Sequence, residues 1–382
     1  MSEAYIVSAV RSPMGRRNGA LSDVHPADLA GHVIAAAVER AGVDPGVVDD
    51  VILGCVDQLG GQSTNVARTA WLSAGLPEHV PGTTIDRQCG SSQQAVHFAA
   101  QAVLSGTQDV VVAGGVEVMS LVPISSPAII GEREGMRAPY DGEGWIGRYG
   151  HEEVSQFRGA EMMAEKWGIS REDMERFALT SHRRAVAAQA AGAFDEEIVA
   201  FRDLTADEGP RPDTSLEKMA GLATLTPDGR LTAAVASQIS DGAAALVVAS
   251  ERAVEQHGLT PLARLRSLAV VGDDPLMMLS APIPATQRAL ETASLTIEDI
   301  DHVEINEAFA PVVLAWLAET GADPAKVNPL GGAIALGHPL GATGAKLMTT
   351  LVHALRRTGG RYGLQTMCEG GGMANATVVE TC

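Results

Sequence analysis

Two stretches of the chain repeat the same order of elements. Residues 35–56, AAAVERAGVDPGVVDDVILGCV, and residues 288–309, RALETASLTIEDIDHVEINEAF, each run from a helix-like segment through a turn and acidic residues to an apolar strand. The residue numbers of Val51 and Val303 differ by 252, and those of Val110 and Tyr362, in two further strand-like segments, also differ by 252. Two strands that agree on one offset predict a duplicated unit, with two unrelated α/β lobes as the alternative.

Strand-like and helix-like segments alternate along the chain. AYIVSAV (4–10), DVILGCV (50–56) and DVVVAGGVEV (109–118) are apolar runs, and DLAGHVIAAAVERAG (28–42) has a helical repeat of apolar residues. This alternation is typical of an α/β fold, and the continuous apolar runs favour buried, mostly parallel strands. A chain of 382 residues is also too long for one core, so two or three lobes are expected.

The sequence between the two repeated parts, about 120–239, has a different character. Residues 125–150 are glycine-rich and irregular, and residues 160–168 and 171–192 have the pattern of amphipathic helices. We expect an inserted lobe or lid that holds the ligand.

The charge and the cysteine content exclude several classes of protein. A net charge of −19 repels polyanions, which argues against a nucleic-acid or anionic-membrane binder. The apolar runs are too short to cross a bilayer and the N-terminal segment does not fit a signal peptide, which indicates a cytoplasmic protein. The cysteines lie far apart without a CxxC pair, so we expect no metal site and no disulfide scaffold.

Cys89 lies between an apolar strand and a helix of small residues, in TIDRQCGSSQQAVHFAA (84–100). The start of a helix presents free N–H groups and the positive end of the helix dipole, which favour a thiolate over a thiol. The position therefore suits a nucleophile, although most cysteines are small buried hydrophobic residues. Cys55, inside an apolar strand, and the terminal Cys382 are expected to have no catalytic role.

Three further segments carry candidate groups. GGAIALGHPLGATGAK (331–346) places His338 in a glycine-rich turn, where an imidazole can take the proton of a thiol; its spacing fits neither a dinucleotide fingerprint nor a P-loop. QTMCEGGGMANATVVE (365–380) ends a strand at Cys368, and the glycines after it offer N–H groups to an oxyanion. EINEAFAP (304–311) ends a strand at Asn306, which a helix cap would equally explain. In the repeat, the Cys89 and His338 turns are nearly equivalent and are expected to face each other.

Together, CGSS, NEAF, GHPLGATG and CEGGG, in this order and spacing, resemble the thiolase family, the acetyl-CoA acyltransferases, over essentially the whole chain. The segment SQISDGAAALVVAS (237–250) is similar to the same family. The resemblance implies the thiolase fold, an α/β fold in which duplicated βαβαβαββ halves form a layered αβαβα body with an inserted loop domain. The implied N-terminal half is 1–119 with 240–257, the loop domain that covers the substrate is 120–239, and the C-terminal half is 258–382.

The resemblance also implies a role for each matching residue. Cys89 would attack the 3-oxo carbon of a 3-oxoacyl-CoA, and His338 would take the Cys89 proton and then hold the enolate of acetyl-CoA. Asn306 would fix the water that completes this oxyanion hole, and Cys368 would protonate the enolate and deprotonate the incoming CoA. The backbone N–H groups of Cys89 and Gly370 would form a second oxyanion hole.

Coenzyme A would be a co-substrate, with no bound cofactor. Arg211 would contact its nucleotide part and Ser237 its pantetheine arm. The resemblance further implies a homodimer or homotetramer whose partners are CoA and acyl-CoA, with no nucleic acid and no membrane.

Three positions depart from the usual family pattern. The segment before Ser237 reads TAAVAS (232–237) instead of TAGNAS, the residue after Cys368 is Glu369 instead of an apolar residue, and Ser155 and Gln156 stand where biosynthetic members carry a His-Met pair. These features are similar to degradative actinobacterial thiolases. We therefore predict thiolytic cleavage of a 3-oxoacyl-CoA in lipid or steroid side-chain β-oxidation.

Three alternatives compete with this prediction. One is a biosynthetic acetoacetyl-CoA thiolase, and another is a decarboxylating condensing enzyme, which Cys368 disfavours because a second histidine is expected at its position. The third is an inactive thiolase-like lipid-binding protein, which the retained Cys89, His338, Cys368 and Asn306 disfavour.

Overall fold

The computed structural model describes residues 3–382, which form ten strands and thirteen α-helices. The strands are β1 (Ala4–Arg11), β2 (Gly15–Arg16), β3 (Asp50–Gly54), β4 (Gly82–Ile85), β5 (Val110–Val118), β6 (Ser240–Ser250), β7 (Ala263–Gly272), β8 (His302–Ile305), β9 (Tyr362–Glu369) and β10 (Met373–Thr381). The helices are α1 (Pro26–Ala41), α2 (Val66–Ser73), α3 (Ser91–Leu104), α4 (Ser126–Arg133), α5 (Glu143–Tyr149), α6 (Gln156–Lys166), α7 (Arg171–Ala190), α8 (Leu216–Ala220), α9 (Glu251–His257), α10 (Pro282–Ala293), α11 (Ala310–Thr320), α12 (Ala333–Leu336) and α13 (Thr343–Thr358).

The strands form a sheet whose two halves mirror each other. Its order is β4-β3-β5-β6-β1-β7-β10-β9-β8, with the short β2 beside β6. Around the central β1–β7 pair, β6, β5, β3 and β4 lie on one side, and β10, β9, β8 and a parallel bridge from β8 to Val327 lie on the other. Equivalent pairs also have the same sense, since β3–β5 and β8–β9 are parallel and β5–β6 and β9–β10 are antiparallel.

In three pairs of equivalent elements, the starting residues differ by 252, which is the offset found in the sequence. They are β3 and β8 at residues 50 and 302, β5 and β9 at residues 110 and 362, and α3 and α13 at residues 91 and 343. The predicted duplication is confirmed. The offset also brings the Cys89 turn, before α3, and the His338 turn, before α13, to equivalent positions.

The prediction of mostly parallel strands is wrong. Only β3–β4, β3–β5 and β8–β9 are parallel among the pairs of named strands in residues 3–382, and the others are antiparallel. Helices cover both faces of the sheet, so every residue of the antiparallel strand β6 is buried. A strand buried on both faces reads as a continuous apolar run whichever way its neighbours point.

Helices and half-sheets alternate in layers. The helices α3 and α13 pack against each other and against strands of both halves, and the hydrophobic core around them includes Val96, Leu246 and Leu351. On the far side of the N-terminal half lie α1 and α2, and on the far side of the C-terminal half lie α10 and α11. The two helices that begin next to Cys89 and His338 therefore form the central layer.

The segment between β5 and β6 contains α4 to α8. Its helices α6 and α7 pack on α11, and α7 also packs on α12, so this segment lies against the C-terminal half. A buried ion pair fixes it to β1, where Arg11 binds Glu197 and Asp207. We propose that residues 120–239 are the loop domain and that the halves divide at residue 257.

Candidate active site

Cys89 lies in a tight turn between β4 and α3. The residue before it, Gln88, has a positive φ of 48°, and its N–H donates to Asp86 Oδ1 at 2.6 Å. The Ser91 hydroxyl closes the turn by accepting from Arg87 N–H at 2.9 Å and donating to the Gln88 carbonyl at 2.6 Å. The Cys89 side chain is half-buried, and the backbone N–H groups of Cys89 and Gly370 point at its sulfur.

The start of the helix is not sufficient to make Cys89 a thiolate. Burial and the nearby Glu369 carboxyl group raise its pKa to about 12, although the two N–H groups act in the opposite direction. The helix terminus therefore acts in the expected direction, but burial and Glu369 outweigh it, so the resting site does not hold a thiolate. Cys89 is a thiol at neutral pH and needs a base.

The second sulfur, Cys368, lies close to the first. Cys368 is fully buried near the end of β9, in a cluster with Phe309, Ile334 and Met278. Burial, together with the negative charges that Cys89 and Glu369 carry when they ionise, holds the pKa of the Cys368 thiol well above its usual range. Cys368 therefore keeps its proton at neutral pH and can give it only to a strongly basic atom.

His338 lies in the turn before α13, with its ring orientation fixed. The Thr343 hydroxyl donates to the Pro339 carbonyl at 2.7 Å, so it must accept from His338 Nδ1, 2.6 Å away. The proton is thus assigned to Nδ1, and the Nε2 lone pair faces the Asn306 side-chain amide at 3.4 Å. Gly337, directly before His338, has a φ of +96°, which favours glycine.

The His338 imidazole is neutral at neutral pH. Burial and the positive charge of Lys346, one turn into α13, lower the pKa of His338 to about 4. The Oδ1 of Asn306 is buried and has no hydrogen-bond partner among residues 3–382. It is free to accept a hydrogen bond from a water or a ligand. Asn306 does not cap a helix, since the N-cap of α11 is Phe309.

Hydrogen bonds connect the segments that carry the two cysteines with the segments that carry His338 and Asn306. The Asn306 N–H donates at 3.1 Å to the carbonyl of Thr366, two residues before Cys368. The Ala345 N–H of α13 donates to the Ser92 hydroxyl of α3 at 2.9 Å. The structure thus brings the two cysteines, the imidazole and the amide to one end of the central helix layer.

A cleft of about 950 Å³ reaches His338 from the surface. Both residues expected to contact CoA, Arg211 and Ser237, line it. Sequence reasoning missed three further cations in its lining, Arg16, Arg17 and Lys218. The pair Arg16 and Arg17 could have been found from the sequence, because two adjacent arginines are unusual in a chain of net charge −19.

Two of the residues that depart from the family pattern before Ser237 and in α6 line this cleft. Ala234 and Gln156 line it, whereas Val235 is fully buried in the core and Ser155 caps α6 by accepting from the Arg158 N–H. Only two of these four side chains can therefore influence the substrate directly.

The other two cysteines lie outside this group. Cys55 is buried beside Glu117, and Cys382 is exposed. Within residues 3–382, no group of three or more His, Cys, Asp and Glu side chains could hold a metal ion. No helix in this range is both long and apolar enough to span a bilayer.

Comparison with known proteins identifies the family. The family model for the thiolase N-terminal domain matches residues 4–252, and the model for the thiolase C-terminal domain matches residues 259–381. The chain belongs to the thiolase family. This thiolase is an acyltransferase that acts on CoA thioesters, and the fold and the activity that the motifs predicted are confirmed.

Similar proteins cover the whole chain. A steroid 3-ketoacyl-CoA thiolase of Mycobacterium tuberculosis is 60% identical, over 100% of this chain and 94% of that protein. A 3-oxoadipyl-CoA/3-oxo-5,6-dehydrosuberyl-CoA thiolase of Escherichia coli is 44% identical, over 100% of both chains. The crystal structure of an acetyl-CoA acetyltransferase of Bacillus anthracis superposes with a TM-score of 0.89 at 39% identity, covering 100% of this chain and 99% of that one.

Proposed function

We propose that this thiolase cleaves a 3-oxoacyl-CoA through an acyl group on Cys89, with Cys368 as the acid and base for the second carbon. The observation that carries the proposal is the pair of neighbouring thiols, with two N–H groups aimed at the Cys89 sulfur. Breaking a carbon–carbon bond requires a nucleophile at one carbon and a proton donor at the other. One sulfur cannot serve both carbons.

The first half of the reaction transfers the acyl group to Cys89. The His338 Nε2 takes the Cys89 proton, the sulfur bonds to C3, and the resulting oxyanion is held by the N–H groups of Cys89 and Gly370. The C2–C3 bond then breaks, and its electrons form the enolate of acetyl-CoA. The His338 imidazolium and a water held by Asn306 Oδ1 stabilise the enolate oxygen, and Cys368 gives its proton to C2.

The second half releases the shortened acyl-CoA. The Cys368 thiolate takes the proton of an incoming CoA thiol, and the CoA sulfur attacks the acyl group on Cys89 through the same oxyanion hole. The bond to the Cys89 sulfur breaks, and His338 returns its proton to that sulfur. All three groups regain their starting protonation states.

The cations of the cleft support a CoA site. Arg211 is exposed and lies close to His182, since burial and the Arg211 charge lower the pKa of His182 to about 4. Lys218 also lines the cleft. We assign Arg211 to the nucleotide phosphates and Ser237 to the pantetheine arm. The Arg211→Ala variant should raise the KM for CoA with little change in kcat.

We assign a steroid-derived 3-oxoacyl chain as the substrate. The similarity to the mycobacterial steroid thiolase supports this, because it is much higher than the similarity to the oxoadipyl thiolases, at 60% against 44% identity. The small Ala234 side chain at the cleft also leaves room beside the chain. A 3-oxoadipyl-type diacid is the second candidate, supported by the latter relatives.

Trapping the acyl group tests the assignment of the two thiols. After incubation with 3-oxoacyl-CoA, mass spectrometry should find the acyl mass on the Cys89 peptide, and Cys89→Ala should abolish it. Cys368→Ala should still accept the acyl group but should lose exchange of the α-protons of acetyl-CoA with deuterated water. Cys382→Ser, with its exposed sulfur, is the matched control. If the two alanine variants had equal defects in acyl transfer and in α-proton exchange, the assignment would be refuted.

A substrate panel tests the acyl chain. Thiolysis of steroid-derived, 3-oxoadipyl, long straight-chain and acetoacetyl thioesters should give the highest kcat/KM with the steroid-derived chain. A preference for the adipyl chain would favour the second candidate, and a preference for acetoacetyl-CoA would favour a biosynthetic role.

We further propose that the protein is a cytoplasmic homodimer. All four cysteines are free, and catalytic thiols require a reducing compartment. The outer edge of β4 pairs with no strand in residues 3–382, and such an edge is a template for another chain.

A further inference from the structure

Glu369 is a buried acid that the reaction scheme above does not use. It is the last residue of β9, next to Cys368, and is 0% exposed. Neither carboxyl oxygen has a hydrogen-bond partner within residues 3–382. The side chain packs against Gly90, since a Cβ built at Gly90 would collide with Glu369 Oε1. An unpartnered carboxyl group therefore supports the turn that carries Cys89.

The duplication supplies an internal comparison, because Glu117 in β5 is the residue equivalent to Glu369 in β9. The Glu117 carboxylate supports the His338 turn by accepting from Gly341 N–H at 2.9 Å. It is fully satisfied, since it also accepts from the N–H groups of Val56 and Asp57 and from the side-chain amide of Gln62. The same position thus holds a carboxyl group with four N–H donors in one half and a carboxyl group with no hydrogen-bond donor in the other.

A carboxylate without donors is costly to bury, so Glu369 favours its acid form. Burial raises the pKa of Glu369 to about 8, although Arg87 and the Asn375 N–H, neither of which meets hydrogen-bond geometry with its oxygens, lie near enough to favour the carboxylate. The other titratable groups around it are Cys368 on its own strand and Cys89 and Asp86 on the turn before α3. His97, which is fully buried farther along α3, is neutral because burial and Arg87 lower its pKa to about 3.

We propose that Glu369 is a positioning residue whose charge controls the ionisation of Cys89. Its acid form fills the space behind Gly90 without opposing the thiolate, and its carboxylate form places a second negative charge beside the sulfur. The inference rests on the proposed role of Cys89 as the nucleophile.

The rate of Cys89 alkylation by iodoacetamide tests this inference. It is followed by peptide-resolved mass spectrometry from about pH 6.5 to about pH 9.5, the range around the usual thiol pKa. In the unmodified protein, ionisation of Glu369 should flatten the rise of the rate above pH 8. Glu369→Gln keeps the shape and removes the charge, so the rate above that pH should increase about tenfold, which corresponds to one pKa unit of the thiol.

Two further variants separate charge from shape. Glu369→Asp retains the charge and should keep the flattened profile, whereas Glu369→Met removes the charge and should behave like Glu369→Gln. Glu165→Gln, an exposed acid in α6, is the control for a distant charge and should match the unmodified protein. A Glu369→Gln profile that superposes on the unmodified one would overturn the inference.

The same experiment separates failure of the inference from failure of the proposed function. If acyl-CoA does not protect Cys89 from alkylation in any variant, then Cys89 is not the nucleophile and the proposed function fails. If acyl-CoA protects Cys89 but the profiles of all variants coincide, only the role of Glu369 fails.

Discussion

The His338 imidazole must be neutral to take the Cys89 proton, and Lys346 is one of the groups that keep it so. Activity should fall as the pH drops through the pKa of His338, which burial and Lys346 lower to about 4. Removal of the Lys346 charge should raise this pKa toward its usual value near 6.5. We therefore expect kcat/KM to be lost at a higher pH in Lys346→Met than in the unmodified protein.

The measurement is the pH dependence of kcat/KM on the acid side, with the circular dichroism spectrum as a check on folding. Lys346→Arg keeps the charge and is the matched control, which should retain the low acid limb. Coincident acid limbs in Lys346→Met and the unmodified protein would mean that burial alone sets the pKa of His338.

At the residue scale, the sequence was sufficient to name the groups but not their protonation states. Cys89, His338, Cys368 and Asn306 stand out because each lies in a distinctive glycine-rich or strand-ending motif. The pKa of Cys89 depends instead on burial and on Glu369, a residue 280 positions away in the chain. Reasoning from the helix terminus therefore found one contribution to this pKa and missed the two larger ones.

At the scale of elements, a buried cation of β1 helps to attach the inserted segment. The Arg11 side chain is fully buried in β1, with Nε 2.6 Å from Glu197 and the two terminal nitrogens 2.6 and 2.9 Å from Asp207. The Arg11→Met variant would leave two buried carboxylates without their countercharge. We expect a loss of about 3 to 5 kcal/mol in the free energy of unfolding, measured by urea denaturation.

An exposed pair provides the comparison. Arg202 and Asp23 are 3.0 Å apart with side chains 57% and 75% exposed. Arg202→Met should cost less than about 1 kcal/mol because water and salt screen exposed ion pairs. If the two variants were equally stable, the Arg11 pair would not be what holds the insert to β1.

The order of elements was predictable from the sequence, whereas their directions in the sheet were not. The predicted strands at 4–10, 50–56 and 109–118 correspond to β1, β3 and β5, and the predicted helix at 28–42 corresponds to α1. The joining of the halves by Tyr5 and Ile6 of β1 with Arg264 and Ala263 of β7 has no signature in composition. The two halves also meet where α3 packs on α13, and this contact joins residues about 250 positions apart in the chain.

At the scale of the whole molecule, charge is distributed to suit an anionic substrate in an anionic protein. The net charge of −19 keeps polyanions away, while four cations line the cleft. The cations are Arg16, Arg17, Arg211 and Lys218. CoA carries several phosphate charges, so a local cationic wall is needed to offset the repulsion of the surface as a whole.

The surface around β4 supports the proposed homodimer. The exposed apolar side chains Phe98 and Leu104 of α3 and Leu72 of α2, each about 40% exposed, lie on the helices that pack against this edge strand. Two copies related by a twofold axis would pair the β4 edges and bury these side chains together.

Light scattering after size exclusion should therefore give twice the chain mass of 39.7 kDa. Phe98→Glu places a charge in the buried patch and should shift the mass toward the monomer. Met136→Glu, at a 67% exposed site in the insert, is the matched control and should remain dimeric. A dimer that Met136→Glu disrupts and Phe98→Glu does not would move the interface from the β4 edge to the insert.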